Sequence, residues 1–258
     1  MKSRLITGNR TAEDIIKAYE LREQERKSKK AEVHEEQYQP EEPETAIPAP
    51  QQSAGKAAYI ILPGHTHDAY SYPDLLVAKV RSHQSKDWNQ AHQALHQQQA
   101  SMLTIRQFVD FLAHLKARKV YDGTGSKVAK ADIKQLLEDI LAQRAPWRAE
   151  WLDALFTEDN GIWKIKYGHQ EKKGKLVARY HEPLEACIRE DCYVNLFSAN
   201  KQGLPTRKVS KQEIYYWQPG NGTVARFLAD SGRVDLYCYG DRRSSVAALG
   251  VREGRERR

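Results

Sequence analysis

The chain has 258 residues, 40% of them hydrophobic, and 41 Lys or Arg against 34 Asp or Glu give a net charge of +7. That length suits one large domain or two modest ones and leaves room for a real core, while the charge permits nucleic-acid contact without demanding it. No apolar run approaches the roughly 18 residues of a membrane span, and no signal-peptide pattern is visible, so a cytoplasmic location is expected unless export takes another route.

Residues 1–25 are expected to form a short helix or docking peptide. Thr11 and Asp14 stand at capping-box spacing, and Ile15, Ile16 and Tyr19 give a thin apolar stripe. Residues 26–56 are polar, charged and proline-bearing with almost no aliphatic side chains, which predicts a disordered linker. The compact part is expected over 57–252. Ala58–Leu62 is continuously apolar, the pattern of an interior strand, and Pro63-Gly64 marks a turn. Ser82–Gln99 reads as a loose helix anchored by Trp88 and Leu95. Ile105, Phe108, Val109, Leu112 and Leu115 share one helical face, with Thr104 and Gln107 placed as a capping pair. Ala131–Leu141 is a second amphipathic helix. Pro146 fits the first turn of a third, whose face would be Trp147, Trp151, Leu152, Leu155 and Phe156.

From Ile162 the period becomes two. GIWKIKYGH and LVARY read as strands around a charged turn in EKKGKL, and KVSKQEIYYWQP and VARFLA supply further short strands. Residues 253–258 read as a basic, solvated tail. A helical middle followed by a β-rich half predicts an α+β fold.

Local chemistry is sparse. GxGxxG, Walker and GxSxG patterns are absent from the sequence. Three cysteines, Cys187, Cys192 and Cys238, lack CxxC spacing, and their odd number argues against a disulfide framework. Buried thiols are the favoured reading, one bridge plus a free thiol the other. In GHTHD, His65 and His67 share a strand face beside Asp68. That allows a metal-dependent enzyme if His83, His92, His96 or Glu182 completes the ligand set, or simply a polar turn. His92 and His96 have i, i+4 spacing without the glutamate of HExxH. Between Lys201 and Arg258, 12 Lys or Arg stand against 6 Asp or Glu, interspersed with Tyr215, Tyr216, Trp217, Phe227, Tyr237 and Tyr239. Such a mixture can stack and hold single-stranded nucleic acid, or can pack in a sheet with arginines on the rim.

One pattern is more specific. Tyr215, Tyr216, Trp217 and Pro219 precede Val224, Ala225, Arg226 and Phe227, then Leu236 and Cys238, and the run closes on Leu249, Gly250, Val251 and Arg252. It resembles the C-type-lectin-like variable proteins of diversity-generating retroelements, in the fold branch of the formylglycine-generating enzymes. The resemblance implies a C-type-lectin-like domain with an irregular C-terminal β-region. It implies a binding protein, not an enzyme, with no cofactor and no metal. The ligand would be a protein or other macromolecule held on a diversified C-terminal face, with nucleic acid as the alternative partner and a separate partner for the N-terminal helix. By the same resemblance the ligand-binding positions lie between the framework residues: Asn221, Thr223, Asp230, Asp235, Tyr237, Tyr239, Asp241, Arg242, Arg243 and Ser244. Strand alternation agrees in part, since it turns Cys238 inward and Tyr237 and Tyr239 outward, and tyrosines among Gly, Ser and Asp are paratope chemistry.

Overall fold

The computed structural model describes residues 55–117, 119–210 and 214–257. The N-terminal helix expected over 1–25 and nearly all of the linker expected over 26–56 lie outside the described residues. Two main sheets, a two-stranded ribbon and three α-helices organise the described residues into an α+β fold.

The smaller sheet has the order β1-β4-β14-β5, from Tyr59–Leu62 (β1), Leu75–Ala78 (β4), Glu253–Glu256 (β14) and Ser101–Met102 (β5). A two-stranded ribbon, His65–His67 (β2) with Tyr70–Tyr72 (β3), links β1 to β4. β1 is an edge in strand order, yet its outer side is hydrogen-bonded by the chain at 121–123, through Ile61 N to Tyr121 O and Gly123 N to Tyr59 O. Its unbroken apolar run therefore reports a buried setting. The expected solvated tail is instead β14, paired antiparallel to both β4 and β5. Glu253 is buried and accepts from the Tyr59 hydroxyl, and Arg255 lies over the Tyr59 ring. Charge in the sequence concealed a strand whose polar groups find partners inside.

The helices follow their periodicity. Trp88–Gln97 (α1) and Ile105–Leu115 (α2) each begin with a complete capping box, Asp87 with Gln90 and Thr104 with Gln107. Lys130–Leu141 (α3) buries Leu136 and Ile140. The expected third helix of the middle region is a strand, Arg148–Asp159 (β6). It is central in the large sheet and apolar on both faces: Ala149 and Trp151 enter one cluster, Leu152, Ala154 and Phe156 the other. A strand buried on both sides produces the same i, i+4 apolar coincidences as a helix.

The large sheet runs β8-β7-β6-β11-β12-β10-β9, formed by Lys175–Pro183 (β8), Ile162–Lys172 (β7), β6, Val224–Ala229 (β11), Val234–Gly240 (β12), Ile214–Trp217 (β10) and Cys192–Val194 (β9). Leu249–Val251 (β13) pairs parallel with β6. The main core lies on one face, where Phe108 of α2 meets Phe227 of β11 with ring centroids 4.8 Å apart. The second face carries a smaller cluster in which Trp88, Ala91 and Leu95 of α1 pack on Ala149, Trp151, Val224 and Leu228.

An ion-pair hub locks the two sheets together. Arg252, next to β13, is buried and bonds Glu150 of β6 at 2.9 Å and the carbonyls of Ala78, the last residue of β4, and of Lys79 at 2.8 and 2.6 Å. Burial works to raise the Glu150 carboxyl, but Arg252, Arg148 and Arg81 outweigh it and hold it below the usual range. The arginine that ends the Leu-Gly-Val-Arg run is thus a structural residue.

Candidate functional site: an aromatic–arginine face

The parallel register of β10 and β12 sets Tyr215 beside Asp235 and Trp217 beside Tyr237, and β9 adds Tyr193 opposite Tyr215. Alternation sends Ile214, Tyr216, Leu236 and Cys238 into the main core. Tyr193, Tyr215, Trp217, Asp235, Tyr237 and Tyr239 therefore share the second face. Over β6 and β11, α1 covers that face. Toward β10 and β9 the rings stay half-buried.

These rings touch in series. Tyr193 meets Tyr215 edge-on at 5.0 Å, Tyr215 meets Trp217 at 5.4 Å, and Trp217 meets Tyr237 at 5.5 Å. The Arg233 guanidinium lies 4.5 Å from the Tyr215 ring and 5.0 Å from that of Trp217, and Arg226 lies 4.6 Å from Tyr237. Stacked guanidinium and indole planes of this kind are mutually attractive and present flat, amphipathic area. Asp235 sits beneath them. Trp217 Nε1 donates to its carboxylate at 3.3 Å, and Arg233 Nε lies 3.1 Å away. Burial pushes the Asp235 carboxyl up to about 6 against the pull of Arg233, and burial likewise pushes the Tyr237 hydroxyl up to about 12.

The structure sorts the ten expected ligand-binding residues into three kinds. Asp235 and Tyr237, expected at the surface, are only 2% and 5% exposed. Alternation does turn Tyr237 away from Cys238, but Arg226 and Trp217 lie against it on that side, and Trp217 and Arg233 cover Asp235. Asn221, Thr223, Asp230 and Asp241 close turns. Asn221 Oδ1 accepts from Glu158 N, and Thr223 Oγ1 accepts from Gly220 N and lies 2.8 Å from the Cys238 carbonyl. Asp230 Oδ1 accepts from the backbone N–H groups of Gly232 and Arg233, and Asp241 Oδ1 from that of Arg243. Tyr239, Arg242, Arg243 and Ser244 are left at or near the surface. Tyr239 is 38% exposed, both arginines are exposed and Ser244 is half-buried. The Tyr239 ring lies over Gly220, where a Cβ would come within 2.3 Å of it, so the glycine makes room for the tyrosine.

Tyr193 and Arg233 line this face and are not among the ten expected ligand-binding residues, while Tyr215 and Trp217 enter the family pattern as framework and the nucleic-acid alternative as stacking rings. The Tyr-Tyr-Trp run held the signal. Period two buries Tyr216 and leaves its two neighbours on the opposite side.

The candidate metal set of His65, His67 and Asp68 does not assemble. Asp68 occupies the turn between β2 and β3 at φ 50°, and the carboxylate near the histidines is Asp110 of α2. Its Oδ2 bonds His67 Nε2 at 2.7 Å and the Tyr72 hydroxyl at 2.6 Å, and its Oδ1 bonds Arg106 at 2.6 Å. Hydrogen bonds thus engage both oxygens. Of the further ligands weighed with this pair, His92 belongs to a different cluster, with Asp153 of β6 and His169 of β7. The three cysteines are free thiols; Cys238 is buried, Cys187 and Cys192 are half-buried, and burial pushes all three thiols up.

A pocket of about 220 Å³ lies between Leu112, Lys116, Leu141, Val194, Phe197 and Ile214, away from the ring series. It falls short of the roughly 300–1,000 Å³ usual for small-molecule sites. Among the described residues, no helix is long and apolar enough to cross a membrane. No family model, curated protein or solved structure matches the chain.

Proposed function

We propose that this protein is a recognition module that binds a macromolecular ligand on the second face of its large sheet. The contact surface combines the half-buried rings of Tyr193, Tyr215 and Trp217, the stacked Arg233, and the display residues Tyr239, Arg242, Arg243 and Ser244. The observation that carries this reading is the unbroken series of ring contacts from Tyr193 to Tyr237 with Arg233 lying across it. Rigid aromatic area with adjoining arginines is the composition of binding hot spots, and fixing those rings in the free protein lowers the ordering cost of association. The resemblance of Val224–Arg252 to retroelement-diversified variable proteins supplies the finer form, a C-type-lectin-like domain whose surface codons are rewritten. Sequencing the DNA around the gene tests that form. A near-copy of the segment for residues 215–252, differing at adenines in the codons of Tyr239, Arg242, Arg243 and Ser244 and matching at Phe227, Leu236 and Cys238, is the expected result. Differences concentrated on the buried framework, or no copy, would remove it.

A second reading rests on charge. Single-stranded nucleic acid would use the same rings for base stacking and the excess of Lys and Arg for phosphates. The net charge of +7 favours it, as do the lysines of the exposed β7–β8 hairpin, Lys172, Lys173 and Lys175. Titrating the protein with oligo-dT while following tryptophan fluorescence separates the two. The nucleic-acid reading requires binding that weakens steeply with salt and is lost in Trp217→Ala. Binding that is absent at low salt leaves the first reading alone.

A further inference from the structure

We propose that His92, Asp153 and His169 form a binding site for a divalent transition-metal ion of the zinc class, joining helix α1 to strands β6 and β7. The site is independent of the recognition face and of the His65–His67 ribbon.

Three elements deliver one donor each, and the donor atoms lie within 4.8 Å of one another. His92 Nε2 is 3.6 Å from Asp153 Oδ1. That is close to the spacing of about 3.3 Å implied by two donors roughly 2.0–2.1 Å from one tetrahedral ion. His169 Nδ1 contacts the same carboxylate, and His169 N donates to Asp153 Oδ2 at 2.8 Å. Ion binding puts the metal where His169 Nδ1 and Asp153 meet, and the neutral ring then carries its one proton on Nε2.

His92 is the observation that points to a ligand. It is 0% exposed, and neither ring nitrogen has a hydrogen-bond partner. An imidazole buried in this way normally satisfies at least one nitrogen. Imidazole–imidazole–carboxylate is a common zinc donor set.

The surroundings are built for support. His96 Nδ1 accepts from Glu171 N at 3.1 Å, which leaves Nε2 to donate to the His169 carbonyl, also at 3.1 Å. Both of its nitrogens are engaged, so it braces the β7 backbone next to the donor. The Trp88 indole packs edge-on against His92 at 4.3 Å and His169 at 4.9 Å, and its Nε1 donates to the Leu152 carbonyl. All three donor residues are buried, and a tetrahedral ion held by three side chains takes a water in its fourth position.

The test uses the full chain without an affinity tag, stripped with chelator and titrated with Co²⁺. One Co²⁺ per chain with the intense visible bands of four- or five-coordinate cobalt is expected, displaced by Zn²⁺, and Zn²⁺ should raise the midpoint of thermal unfolding. His92→Gln should lose the spectrum and the thermal shift, and His67→Gln should keep both. If His92→Gln does not fold, the wild-type spectrum and the Zn²⁺ shift decide by themselves. A stripped wild-type protein without stoichiometric visible bands, or one whose bands survive in folded His92→Gln, overturns the proposal.

Discussion

Asp235 is a buried carboxylate held between the Arg233 guanidinium and the Trp217 indole, and its protonation is coupled to the geometry of the aromatic face. Its folded pKa is raised from 3.8 to about 6, chiefly by burial. The folded state therefore binds a proton more tightly than the unfolded chain, and the stability this group contributes is present below about pH 4 and lost as pH rises through about 6. Replacing Asp235 with Asn removes that loss. Asp235→Asn should match the wild type in urea unfolding at pH 4 and exceed it at pH 8, by up to about 3 kcal/mol for a shift of this size. Tryptophan fluorescence of the wild type should titrate near pH 6, and this step should vanish in the variant. A flat profile, or equal stability at pH 8, would show that the carboxylate ionises freely. The sequence gives Asp235 no mark of its environment. In VDLYCYG it alternates with apolar residues like any surface group, and only the registration of β10 beside β12 lays Trp217 over it.

Among the elements, α2 was the most legible and β6 the least. For α2, local chemistry and tertiary demand agree. Thr104 and Gln107 close the capping box, and the apolar face from Ile105 to Leu115 meets the main core. For β6, Pro146 and the Trp-Leu-Phe spacing suggested a helix. Central placement in the sheet overrode that, because apolar residues on both faces carry no distinctive period. The start of α2 also depends on a contact invisible in sequence. Gly203 approaches so closely that a Cβ would lie 2.4 Å from Arg106 N, and its φ of 85° already disfavours a side chain. Thr104→Ala should cost about 1 kcal/mol, the usual worth of an N-cap. Gly203→Ala should cost more, since a backbone clash adds to the strain. Chemical denaturation of both variants checks the order, and a harmless Gly203→Ala would mean that the loop relaxes away from α2.

At the scale of the whole molecule, the two ends of the described chain meet. β1 begins a few residues into it and β14 ends it, and both belong to the smaller sheet, with β4 between them. Long-range closure of this kind holds the intervening helices and the large sheet inside one loop of chain, and Arg252 ties that closure to β6 through Glu150. Composition hid this arrangement. Glu-Gly-Arg-Glu has no apolar residue to signal a strand; it is recruited because β4 and β5 both offer it backbone partners and because Gly254 fits against Leu103. Deleting residues 253–258 should therefore unzip the middle of a sheet and expose the facing edges of β4 and β5. A solvated tail would be removed without cost. The truncated protein should lose cooperative thermal unfolding and the dispersion of its amide NMR spectrum, whereas replacing only Arg257 and Arg258 with Ser should leave both unchanged. Retention of the wild-type midpoint after the six-residue deletion would mean that the smaller sheet closes without β14. The aromatic face stands on β12 and β10, whereas β14 pairs with β4 and β5, so any loss of binding in the truncated protein would measure how far that rigid display depends on closure at the opposite sheet.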